Sequence, residues 1–265
     1  MTNVTLFLHR IRRRVSIAQS HSRSIRINQM AAVDLRPLNL FTLLSFILVL
    51  VWNLHYRPGA STSTPEVFQW HPILMTVCFG VCLPQASVMF RRQSLGTRVL
   101  RKNLHAGMQL FGLTCAVFGL VAVLKYHNDL KILNWYSLHS WLGLAAFVTL
   151  LAQWVLGVVF FSSLNLFPPP LRTRFMPVHM SIGTFLLIVS TAALTTGILE
   201  KNTFSDVCFP SVTNECKLSN LLGLCSVATC VACLTVLAKP KESSVTDVLV
   251  GDAETRTSLI SGWSS

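Results

Sequence analysis

The sequence predicts an all-α integral membrane protein with six transmembrane helices, the second to fifth of which form a four-helix core. Three observations lead there. The 265 residues are 52% hydrophobic and only 12% charged, with a mean hydropathy of +0.55, whereas an ordinary soluble domain carries about 25% charged residues. Six apolar windows approach the ~20 residues needed to span a bilayer core. Four histidines, His71, His105, His139 and His179, stand singly inside four consecutive windows, each near the N-terminal end of its window.

The windows run in order over Leu38–Leu54, Phe68–Phe90, Asn103–Leu124, Ser137–Phe161, Phe175–Leu199 and Leu218–Ala238. Between the second and third lie Arg91, Arg92, Arg98, Arg101 and Lys102 with no acid; Arg172 and Arg174 precede the fifth, and Lys239 and Lys241 follow the sixth. The other connections mix signs, as in Lys125 and Lys131 with Asp129, or Lys201 and Lys217 with Glu200, Asp206 and Glu215. Because Lys and Arg are retained on the cytoplasmic side, this is a multi-pass protein with both termini cytoplasmic. The net charge of +12 is mostly this topology signal, with some attraction to anionic lipid. No aromatic-interleaved basic surface points to nucleic acid.

The domain organisation expected is a basic cytoplasmic tail over 1–37, a six-helix domain over 38–240 and a polar cytoplasmic tail over 241–265, both tails disordered. The Arg-rich, acid-poor start has the composition of a mitochondrial presequence, but a basic tail that keeps the N-terminus inside is the more ordinary reading. Met30-Ala31-Ala32-Val33 reads as an alternative start, and Thr257-Ser258-Leu259-Ile260 as an imperfect sorting run.

A single histidine on an apolar helix is ordinarily a core residue bonded to a neighbour. Four at matched depth are another matter, since each needs a partner in hydrocarbon. Alternating helix direction places His71 and His139 near one face, and His105 and His179 near the other. A di-metal carboxylate centre is set aside because the apolar windows hold no Asp or Glu, and no Cys-x-x-Cys-His run offers covalent haem attachment. What remains is non-covalent b-type haem, two in number, each between two axial imidazoles. With both axial positions filled, oxygen finds no open site and the iron passes single electrons. Histidines one turn inside each face put the two irons roughly 20 Å apart. The competing reading is a haem-free transporter or proton channel using the histidines as a relay.

Five runs carry a resemblance: Trp70-His71-Pro72-Ile73-Leu74-Met75; Lys102-Asn103-Leu104-His105 with Gln109; Tyr136-Ser137-Leu138-His139-Ser140-Trp141-Leu142-Gly143; Met176-Pro177-Val178-His179; and Thr196-Gly197-Ile198-Leu199-Glu200-Lys201. The chain resembles the cytochrome b561 family over about residues 38–240. That resemblance implies six helices, two b haems paired between helices two and four and helices three and five, and electron transfer from cytosolic ascorbate to an acceptor on the opposite face, monodehydroascorbate or ferric iron. It implies an ascorbate site at Arg98, Arg101, Lys102 and Arg172, two of which are Arg where the family commonly has Lys. A cationic vestibule is also what an ascorbate monoanion requires. On the other face it implies a substrate region containing His127, Asn134 and Tyr136, with His127 able to assist deprotonation or coordinate ferric iron. For His127 the ordinary alternative is a solvated loop residue, and for each cation a topology anchor. His55 is a weaker candidate for the outer vestibule.

The expected partners are ascorbate, monodehydroascorbate or a ferric chelate, and the lipid bilayer, with a homodimer left open. The membrane is left open among plasma membrane, secretory vesicle and endolysosome. Of the eight cysteines, Cys78, Cys82, Cys115, Cys225, Cys230 and Cys233 fall in apolar windows and read as small packing residues. Cys208 and Cys216 fall in the last outer connection, where an oxidising space permits a disulfide.

Overall fold

The computed structural model describes residues 34–162 and 166–239. The readings of residues 1–33, of the polar tail and of the run at 257–260 lie outside the described residues. Leu35–Ala238 make up one unit, and six helices in it are long and apolar enough to cross a membrane. Helix α1 spans Arg36–His55 and α2 Glu66–Arg91; α3 runs Arg98–Leu130, α4 Leu138–Phe161, α5 Pro169–Phe204 and α6 Asn214–Ala238.

The helices outrun their apolar windows. At about 1.5 Å per residue, α3 with its 33 residues and α5 with its 36 far exceed a hydrocarbon core of about 30 Å. Their polar ends therefore project into water as helix. Caps fix those ends: Thr97 accepts from the Leu100 amide at 3.2 Å to open α3, and Ser137 accepts from the Ser140 amide at 3.2 Å to open α4. Lys131, at φ 59°, closes α3 in the left-handed conformation, and the Ile132 amide returns to the His127 carbonyl at 2.8 Å. Two expectations change as a result. His127, read as a loop residue, belongs to the last turn of α3, and Arg98, Arg101, Lys102 and Arg172 lie on the opening turns of α3 and α5 rather than in connections. Carboxylates occur near the helix ends, at Glu66, Asp129, Glu200 and Glu215, all outside the apolar windows.

Helix α2 is the central element: 61% of its apolar window is buried, against 17% for α4. It is not a uniform α-helix, because a π-helical stretch occupies Thr76–Cys82 ahead of Pro84. Proline removes one backbone donor, and a wide turn just before it re-registers the helix. Against this stretch α3 brings Gly112, where an added Cβ would stand 3.0 Å from the Cys82 Cβ.

The outer helices are more than a peripheral layer. α1 and α6 pack along each other, and Val49 and Trp52 of α1 meet Ile73 of α2, Ile198 of α5 and Leu222 of α6 in a closely packed apolar cluster. In lipid such contacts stabilise through packing and polar bonds rather than through the hydrophobic effect. One such bond is Trp52 Nε1 donating to Glu215 at 2.8 Å, on a carboxylate that also pairs with Arg57. Cys208 and Cys216 form a disulfide with Cα atoms 5.2 Å apart, tying the α5–α6 connection to the first turn of α6.

Candidate functional site

The four helices in the middle of the chain bring the histidines together in two pairs. The rings of His71 on α2 and His139 on α4 lie with centroids 6.0 Å apart; those of His105 on α3 and His179 on α5 lie 6.3 Å apart. A metal–imidazole bond of about 2.0 Å, with roughly 1.1 Å more from nitrogen to ring centre, separates two axial rings on one ion by about 6.2 Å. Both pairs have that spacing.

The rings are also turned for it. Backbone carbonyls only accept, so His71 Nδ1 donates to Gly119 at 3.0 Å, His105 Nδ1 to Ala86 at 2.8 Å, and His139 Nδ1 to Ala193 at 2.9 Å. A hydrogen bond at Nδ1 fixes the tautomer and leaves the Nε2 lone pair as the one able to bind a metal. His179 is the exception to the expected pattern. Its Nδ1 is buried with no partner among the described residues, while its carbonyl accepts from Gln153 at 2.8 Å.

These bonds also measure the separation of the two layers. On α3, His105 and the Gly119 that holds His71 are fourteen residues apart; on α5, His179 and the Ala193 that holds His139 are again fourteen apart. At about 1.5 Å per residue the layers stand roughly 21 Å apart, close to the separation expected from the sequence.

Glycines make the space. A Cβ on Gly197 would stand 2.6 Å from His139 Cε1 and 2.9 Å from its Nδ1, so α5 can approach that ring only as glycine. A Cβ on Gly157 would lie 3.4 Å from His179 Cε1, whereas one on Gly143, a turn beyond His139, would meet no protein atom within 4 Å. Gly143 faces a cavity of about 630 Å³ that also reaches His71, His139, Phe147 and Gly197. Its lining is mostly apolar and aromatic with a few polar groups, the usual make-up of a small-molecule or cofactor pocket. Among the described residues no group of three or more His, Cys, Asp or Glu could share one metal ion, so paired imidazoles are the donors available.

His127, Asn134 and Tyr136 together line that cavity on the side where α3 ends and α4 begins. His127 Nδ1 lies 3.1 Å from Asn134 Oδ1, and its ring centre is 6.5 Å from that of Tyr136. Because an amide oxygen accepts, His127 donates through Nδ1 and keeps Nε2 as its acceptor nitrogen. Two residues not picked out for this site complete it. Glu200 accepts from the Tyr136 hydroxyl at 2.8 Å and from the Ser137 hydroxyl at 3.0 Å, and the Lys201 ammonium sits 4.5 Å above the ring centre of Phe68. Burial first, then the bond to the Glu200 carboxylate, pushes the Tyr136 phenol up to about 12. Phe68 continues inward to the His71 ring at 6.0 Å and sideways to Tyr126 at 5.0 Å. In sequence, Glu200 and Lys201 look like a mixed-sign pair ending a helix; only the return of α5 beside the start of α4 makes them site residues. His55, the last residue of α1, stacks edge-on with Tyr56 and is not among the residues lining this cavity.

At the other end, Arg98, Arg101 and Lys102 occupy the opening turns of α3, and Arg172 the opening of α5. Arg101 is held by a bond from its guanidinium to the Gly96 carbonyl at 2.5 Å. Neither helix has an acid in its first turn. Cations there oppose the helix dipole, so these four residues do not serve helix stability.

A family model for eukaryotic cytochrome b561 matches residues 70–205. The chain is 35% identical over 208 residues to a lysosomal membrane ascorbate-dependent ferrireductase of Mus musculus, covering 74% of this chain and 86% of that protein. It is 36% identical to transmembrane ascorbate ferrireductase 2 of Arabidopsis thaliana, covering 67% of this chain and 78% of that protein. A plasma membrane ascorbate-dependent reductase of Mus musculus is 35% identical, with 68% of this chain and 64% of that protein aligned. The matched stretch contains all four paired histidines, and the helices around them are those the family model spans. The chain belongs to the eukaryotic cytochrome b561 family of transmembrane oxidoreductases.

Proposed function

We propose that this protein carries single electrons from ascorbate, on the side bearing the arginine cluster, to ferric iron on the side bearing His127. Two non-covalent b haems serve as the relay, one between His71 and His139 and one between His105 and His179. The observation that carries the reading is the paired ring spacing of 6.0 and 6.3 Å, together with the Nδ1 donation of His71, His105 and His139, which keeps the Nε2 lone pair available. A haem held by two imidazoles supplies a reversible one-electron couple with no open coordination position.

The residues of this chain do the rest. Arg98, Arg101, Lys102 and Arg172 draw the ascorbate monoanion to the end nearest His105 and His179, where two helix N-termini add positive potential. At the far end the His127 imidazole and the Glu200 carboxylate line one cavity, a donor set suited to iron. Tyr136 and Asn134 orient those two groups through the bonds described, and Phe68 fills the gap between that end of the cavity and His71. The relatives named as ferrireductases support iron rather than monodehydroascorbate as the acceptor.

The basic connections support a topology in which both termini of the chain lie on the cytoplasmic side, the side of the arginine residues. The relatives support a plasma-membrane or lysosomal setting in a lipid bilayer. Ascorbate-loaded liposomes of fixed protein orientation, given an external ferric chelate, test the proposal directly. The wild type should form ferrous iron outside, and His71→Ala and His139→Ala should lose one and the same component of the haem spectrum. Loss of different components by those two variants, or a colourless folded wild type, overturns it.

A further inference from the structure

At the arginine-rich end a second recess lies between α1, α2 and α3, separate from both histidine layers. It has a volume of about 580 Å³ and is walled mainly by Leu43 and Phe46 of α1, Val81 and Met89 of α2, and Leu104 and Met108 of α3. Leu104 and Met108 are one position removed from His105 and Gln109, about 100° around the helix, so this recess opens on a different flank of α3 from the histidine. Leu43 is 56% exposed and Phe46 37%, so the apolar wall faces the surrounding lipid.

The head of the recess is polar and cationic. The Arg92 guanidinium donates to Asn39 Oδ1 at 2.8 Å and to Gln85 Oε1, and Gln85 donates in turn to the Thr42 hydroxyl at 3.1 Å. Both partners of Arg92 are neutral amides. Among the described residues no carboxylate pairs with it, although it is half-buried at the end of a membrane helix. A guanidinium has five donors in a planar fork that suits phosphate, and a partly desolvated charge is stabilised by a counter-charge. An apolar channel leading away from an anion-seeking head, at the depth where a helix leaves the membrane, has the shape and polarity of a phospholipid.

We propose that this recess binds one anionic phospholipid of the adjacent leaflet, its phosphate on Arg92 and an acyl chain between Phe46, Leu104 and Met108. The interaction is a built site, distinct from the general attraction of basic segments to an anionic surface, because the cation is fixed by two amides and the chain has a formed groove.

Native mass spectrometry of the full-length protein tests it, with phosphatidylinositol and phosphatidylcholine of equal chain composition offered in competition. The wild type should retain one phosphatidylinositol in preference by about five-fold, which is about 1 kcal/mol, because the choline ammonium of the competitor offsets its phosphate at Arg92 and inositol does not. Arg92→Gln should erase the preference, and Met108→Trp, which fills the groove with Arg92 intact, should reduce retention of both lipids. Water-soluble glycerophosphoinositol should not displace the bound lipid. Equal retention of the two lipids by the wild type, an undiminished preference in Arg92→Gln, unchanged retention in Met108→Trp, or displacement by the soluble headgroup each overturns the proposal. If Arg92→Gln does not fold, the wild-type competition and Met108→Trp still decide it.

Discussion

Gly197→Ala is the sharpest perturbation the structure offers, because one methyl group meets one ring. The new Cβ would stand 2.6 Å from His139 Cε1, 2.9 Å from Nδ1 and 3.2 Å from Nε2, so the imidazole must retreat by close to an ångström. That movement breaks the 2.9 Å bond from Nδ1 to the Ala193 carbonyl, which costs about 0.5–1.5 kcal/mol. Forcing extra volume into a packed site costs about 1–3 kcal/mol more. Replacing glycine by alanine inside a helix returns only about 0.5–1 kcal/mol. The balance is a loss of order 1–3 kcal/mol, felt at the His71–His139 pair and not at His105–His179. Since about 1.4 kcal/mol is a factor of ten, haem affinity at that site should fall by roughly five- to 150-fold. The assay is haem content per protein with resolved reduced spectra, beside circular dichroism to show that the helices persist. One spectral component should fade while the other stays. A Gly197→Ala protein with both components at wild-type occupancy would refute the reasoning, since it would mean that α5 and the His139 ring are not in contact.

Gly143→Ala makes the complementary test: its Cβ meets no protein atom within 4 Å, so the apo-protein should keep its thermal stability while haem retention drops, and unchanged retention would show that no macrocycle lies against α4 there. Replacing Arg101 or Arg172 by Ala should slow reduction by ascorbate several-fold while leaving the spectrum and dithionite reduction intact, and raising salt should slow the wild type because exposed charges are screened beyond about 8–10 Å; equal rates in a variant lacking all four cations would remove the site. His127→Ala should keep both haems and lose most of its ferric reductase rate in oriented liposomes, with equal rates returning His127 to a purely structural role. Tyr136, an acid whose proton is held up to about 12 by burial and by Glu200, stays neutral through the physiological range. Its stabilising contribution is complete below the ordinary phenol value and declines only as pH rises from there toward about 12. Tyr136→Phe should therefore leave the neutral-range pH profile of the reaction unshifted, and a shift would show that the phenol titrates there.

Much of this architecture was legible in the chain itself. Six apolar windows, and a charge bias that selects one face, follow from the cost of placing backbone and charge in hydrocarbon, and that cost acts locally on each stretch of sequence. The pairing of His71 with His139 and of His105 with His179 follows from the same local rule, because consecutive spans must reverse direction; the structure brings those rings to 6.0 and 6.3 Å. Local rules do not say where a helix stops once it leaves the membrane. Capping by Thr97, Ser137 and Lys131 decided that, and so turned His127 from a loop residue into a helical one. Nor can they say which distant residues share a surface. Glu200 joins Tyr136 and Ser137 across more than sixty positions, Gly197 yields its side-chain volume to His139, and His179 has no partner at Nδ1 among the described residues. Each of those outcomes depends on how closely and at what rotation two helices approach, which is set by side-chain packing summed over the whole bundle and is written in no single segment.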